Sequence, residues 1–181
     1  MTDPLIVQYM TRLFLEPNQL QRYSPAQVAQ GIWFLIGESS PGKTAYAFLN
    51  QDVAIHERLS GIQSMGNFFR IFVAPLTSGP ADTEDNPLHI ACWMWWDIFP
   101  TYDGKSSGEA ELQSTCMNTM KEILKLSSEL CQLSALHGLN HWHPRHPHEV
   151  EQTIDIFLHE TTDLTPRVLE YARIARAGAA Q

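Results

Sequence analysis

Apolar residues recur at helical spacing along nearly the whole chain, and each run opens and closes with residues suited to helix ends. Asp3-Pro4 supplies a cap followed by a first-turn proline, and Leu5, Tyr9 and Leu13, flanked by Ile6, Met10 and Phe14, predict a helix to about Glu16. Ser24-Pro25 repeats the start signal, and Val28, Ile32, Leu35 and Ile36 share a face before Gly37. A long third segment carries Ile55, Leu59, Ile62, Phe69 and Phe72 to Pro75, with Gly61 and Gly66 as places for a kink or a tight approach. After a loop over 77–87, Asn86-Pro87 opens a helix from Leu88 through Phe99. That segment is apolar nearly all round, so it is expected as a central, heavily buried element.

The second half reads as two helix pairs. Leu112, Cys116, Met120, Ile123 and Leu124 mark one helix, and Leu130, Cys131, Ala135, Leu139 and Trp142 mark its partner. Val150, Ile154, Phe157 and Leu158, then Val168, Tyr171, Ala172 and Ala175, make the last pair, with 177–181 expected as a frayed tail. Each pair spans roughly 35 residues, the period of α-solenoid repeats, in which no hairpin buries its apolar face alone. The expectation is one all-α domain over 1–181, built of about eight helices in stacked antiparallel hairpins.

The segment Cys131-Gln-Leu-Ser-Ala-Leu-His-Gly-Leu-Asn-His-Trp142 resembles the second helix of a HEAT or armadillo-like repeat. With Ser24-Pro-Ala-Gln-Val-Ala-Gln-Gly-Ile-Trp-Phe-Leu35 and Cys92-Trp-Met-Trp-Trp-Asp97, it is similar to segments of uncharacterised bacterial all-helical proteins. The resemblance implies a helical-repeat fold and no particular reaction.

Composition narrows the function classes. The 181 residues include 44% hydrophobic and 18% charged side chains, a globular balance. A net charge of −8 disfavours nucleic acid and anionic membrane surfaces as partners. No basic n-region precedes the apolar residues at the start, and no uncharged apolar run reaches bilayer length, so a cytoplasmic location is expected. Cys92, Cys116 and Cys131 are widely spaced and set in apolar sequence, which reads as reduced core residues.

Three patterns carry candidate chemistry. Gly37-Glu-Ser-Ser-Pro-Gly-Lys-Thr44 matches a phosphate-binding loop, with Lys43 for phosphate and Thr44 and Asp97 for magnesium. That motif requires a strand before it, yet Ser24-Pro25 starts a helical pattern that runs through Ile36, so the match reads as coincidence. Five of the eight histidines fall between His137 and His148, and His137 and His141 stand at i and i+4, the spacing by which two imidazoles share a metal ion. The sequence shows no third ligand beside them. Trp93, Trp95 and Trp96 with Asp97 form an aromatic cluster suited to core packing or to a binding pocket.

The expected function is therefore a non-catalytic binding or scaffold module whose partner is another protein, with no cofactor assigned. Trp95, Trp96, Asp97, His137, His141 and Trp142 are the candidate binding residues. A nucleotide-binding enzyme using 37–44 and a metal-binding protein or metallohydrolase centred on His137 and His141 are the alternatives.

Overall fold

The structure is a computed structural model that describes residues 1–37, 44–77, 85–100 and 108–179. Among the described residues every regular element is helical. Helix α1 (Asp3–Leu15) is followed by a 3₁₀ segment, Pro17–Arg22, and by α2 (Pro25–Ile36). A second 3₁₀ segment, Thr44–Leu49, leads to α3 (Ile55–Phe68), which continues through a π turn, Phe69–Val73, into the single turn α4 (Ala74–Leu76). Next come α5 (Pro87–Trp93), the short α6 (Trp95–Ile98), α7 (Glu109–Leu124), α8 (Glu129–Trp142), α9 (Pro147–Glu160) and α10 (Pro166–Arg176). Among the described residues no helix is long and apolar enough to cross a membrane.

Capping chemistry explains where these helices begin. Ser24 forms a capping box with Gln27 on α2, and Asn86, Ser128 and Thr165 each accept a hydrogen bond from a first-turn backbone N–H of α5, α8 and α10. At the other end of α10, Gly178 adopts φ +62. There the Ala179 N–H donates to the Ile174 carbonyl and the Gly178 N–H to the Ala175 carbonyl. This is a Schellman cap, so Ala177 to Ala179, expected to fray, close the helix in a defined turn. Gln181 and its neighbour at 180 lie outside the described residues.

Two expectations about helix continuity change. The segment Leu88 through Phe99, read as one helix, breaks at Met94, whose ψ is near −1°. The break rotates Trp93 away from Trp95 and Trp96, which turn fully into the core. The long third helix departs from α geometry at Phe69–Val73 rather than at either glycine. Gly61 serves close packing instead, since a Cβ there would lie 2.4 Å from the Phe48 ring.

The central buried element is α8, not the tryptophan-rich segment. Leu130 through Asn140 and Trp142 are all buried, because α5, α6, α7, α9 and α10 all pack against it. The buried apolar side chains form one cluster running from Val7 to Ala175. Phe14, Phe68 and Phe69 surround Trp95 at centroid distances of 5.3–5.6 Å. Burying each such ring contributes about 1.5–3 kcal/mol relative to exposure.

Candidate metal centre

The site forms where three elements meet on α8. His137 and His141 project from one face of α8, one helical turn apart, as their spacing predicts. The third group comes from α6, which approaches α8 closely because residue 138 is glycine: a Cβ there would lie 2.5 Å from Trp96 Cβ. Ser134 on α8 donates a hydrogen bond to the Cys92 carbonyl near the end of α5, pinning the chain just ahead of α6. With α6 held in this way, Asp97 reaches the two imidazoles.

The donor atoms are close. His141 Nε2 lies 3.2 Å from His137 Nε2 and 3.4 Å from Asp97 Oδ1, and one donor atom from each of the three residues falls within 4.8 Å of the others. Among the described residues no other group of three metal-ligating side chains has this property. His137 is only 5% exposed, while about a third of the Asp97 and His141 side chains is open to solvent. The cluster therefore has a buried floor and an accessible rim.

Two aromatic side chains hold His137 from behind. Its Nδ1 lies 2.7 Å from the Tyr171 hydroxyl on α10, and the Trp93 ring stacks on the imidazole at 4.5 Å and 28°. When Nδ1–H donates to the Tyr171 oxygen, the Nε2 lone pair faces His141 and Asp97. Burial, reinforced by the neighbouring His141 and partly offset by Asp97, lowers the His137 pKa to about 4, so this imidazole is neutral at pH 7. Burial also pushes the Tyr171 hydroxyl up to about 12, which keeps it protonated.

The spacing and donor types suit a metal ion. Around an ion about 2.0–2.1 Å from each donor, a tetrahedron has edges of about 3.3 Å. Two of the edges here, 3.2 and 3.4 Å, already have that length. Two imidazoles and a carboxylate are a donor set for zinc or iron(II), and three protein ligands leave a position for water.

The remaining sequence candidates sit elsewhere. Trp95 and Trp96 are core residues at 0% and 1% exposure, and Trp142 is buried, stacked on His146. His143 faces Glu151 at 3.4 Å, and His148 lies exposed on α9, so the other histidines of the 137–148 run do not join the cluster. Cys92, Cys116 and Cys131 are buried free thiols, and burial raises all three pKa values, so none is poised as a thiolate ligand.

Lys43 and the rest of 38–43 lie outside the described residues. Of the two segments that a phosphate-binding loop and its magnesium site would need as strands, Ile32 to Ile36 is helical and Ile90 to Trp96 is helical on both sides of the turn at Met94. Asp97, assigned to magnesium in that alternative, faces His141 instead.

The histidine pair is explicit in the sequence, whereas the partnership of Asp97, Trp93 and Tyr171 with it arises only from packing. Comparison with protein-family models, with curated proteins and with solved structures finds no match to this chain.

Proposed function

We propose that the protein binds one divalent transition-metal ion, zinc best fitting the spacing, through Asp97, His137 and His141, with a further position open to solvent. The observation that carries this reading is the convergence of three donor atoms within 4.8 Å, one of them on a buried imidazole whose other nitrogen is held by Tyr171. Histidine ligands in metalloproteins almost always have such an outer partner. Three protein ligands plus an open position is the catalytic type of zinc site, in which the ion acts as a Lewis acid and lowers the pKa of bound water to about 7.

The scaffold reading, with another protein as partner, rests on fold class alone, and fold class does not fix function. The metal reading rests on named atoms and is preferred for that reason. As to arrangement, we read α7 to α10 as two successive hairpins of the solenoid kind. Supporting this, α7 packs on α8 and α9 on α10, while α8 also contacts α9 and α10.

Competition of the purified protein against a chromophoric zinc chelator tests the site. The wild-type chain is expected to bind one zinc ion. His141→Ala and Asp97→Asn, both at partly exposed positions, are expected to weaken binding by more than the roughly 10–100-fold that loss of an outer partner costs. Equal affinity in all three proteins would place any bound zinc elsewhere and refute the assignment.

A further inference from the structure

Between α1, the 3₁₀ segment Pro17–Arg22, α2 and the end of α3 lies a cavity of about 290 Å³. We infer that it is a binding site for an uncharged, predominantly hydrocarbon small molecule such as an alkyl chain. Its floor is formed by the rings of Phe14 and Phe68, and its walls by Leu20, Val28, Ile32 and Leu35. Two residues with polar groups, Gln27 and the exposed Tyr23, stand at its edge. The Gln27 carboxamide oxygen accepts a hydrogen bond from the Ser24 N–H, and the Arg22 guanidinium lies over the Tyr23 ring. Among the described residues no charged side chain lines the space, so none of them would compensate the desolvation of an ion.

Two local features that work against regular helix border this space. Gly31 sits in the middle of α2, where glycine is a poor helix former, yet a Cβ added there would meet nothing within 4 Å. Unlike Gly61 and Gly138, it is not required by a close neighbour; its effect is to leave the cavity wall open. The π turn Phe69–Val73 begins directly after Phe68, and π turns are rare and frequent at functional sites. Phe72, within that turn, stacks on Phe68 at 5.4 Å and 21°, and Trp95 stacks on it at 5.6 Å, so the floor ring is held from two sides. For scale, a dry apolar cavity of about 150 Å³ admits benzene, and small-molecule pockets begin at about 300 Å³.

The test uses the full chain in the presence of a chelator, so that its outcome is independent of the metal centre. The uncharged probe N-phenyl-1-naphthylamine is titrated by fluorescence and then displaced with 1-decanol. Saturable binding of one probe per chain, reversed by the alcohol, is expected. Gly31→Leu places an isobutyl group in the cavity and removes a mid-helix glycine. It is expected to weaken probe binding by about tenfold or more, with the melting temperature unchanged or raised. Leu35→Trp narrows the same space from another wall and is expected to act likewise. Absence of saturable binding by the wild type, or wild-type affinity in both folded variants, would overturn the proposal.

Discussion

His137 Nδ1 lies 2.7 Å from the hydroxyl of Tyr171, across 34 residues of sequence and between two helices, α8 and α10. This contact presents Nε2 of a buried imidazole to the cluster. Tyr171→Phe keeps the ring against Trp93 and removes only the oxygen. It is expected to weaken zinc binding by about 10–100-fold in a chelator competition, with one ion per chain retained at saturation. An unchanged affinity would show that packing alone orients His137.

Gly138 is the position at which packing and site are most directly linked. A methyl group there would press on Trp96 Cβ at 2.5 Å and Met120 Sδ at 2.6 Å, forcing α6 and α7 off α8. Gly138→Ala is expected to lower stability by about 1–3 kcal/mol in denaturant unfolding. It should also weaken zinc binding, because Asp97 travels with α6. Loss of stability with full zinc affinity would show that Asp97 reaches the histidines without this close approach.

The cysteines make a separate statement about the core. Cys92 and Cys116 are fully buried, and Cys131 is held on the innermost helix with its thiol pushed up to about 12. Ellman's reagent at pH 8 is expected to label none of the three within minutes in the native state and all three after denaturation. Rapid labelling of a native thiol would contradict the packing around α8.

A surface contact supplies a pH dependence of known sign. Arg176 Nε and Nη2 donate to Asp155 Oδ1 and Oδ2 at 2.6 and 2.9 Å, joining α9 to α10 and holding the Asp155 carboxyl below its ordinary range. Because the folded pKa is depressed, the contribution is present above the unfolded value of about 3.9 and is lost as pH falls through the folded value. Asp155→Asn is therefore expected to melt slightly below wild type at pH 7, with the gap closing under acid. The gap should be small, since both groups are exposed. A gap that widens on acidification would reverse the assignment.

Much of the helix framework was legible because it is encoded locally. Ser24-Pro25 and Asn86-Pro87 state their caps within three or four residues, and the apolar spacing of α7 to α10 matches the buried faces found. The Met94 break was not legible. Residues 88–99 contain no helix breaker, and the interruption reflects the competing demands of placing Trp93 beside His137 and Trp95 in the core. Half of the candidate site was visible as the His137 and His141 pair on a single helix. Asp97 stood among the candidate binding residues, but neither its place beside the histidines nor the role of Tyr171 was legible, because each is joined to that pair only by tertiary packing of α6 and α10 on α8. Gly138 was part of the quoted repeat-like segment, but a glycine within a helix does not reveal which neighbour it admits.

X-ray absorption at the zinc edge, on protein reconstituted with one equivalent of zinc, reads the Asp97, His137 and His141 ligand set at the ion itself. Only nitrogen and oxygen neighbours at about 2.0–2.1 Å are expected, with the multiple-scattering signature of two imidazoles that falls to one in His141→Ala. Sulfur neighbours at about 2.3 Å, or a spectrum unaltered by His141→Ala, would contradict it.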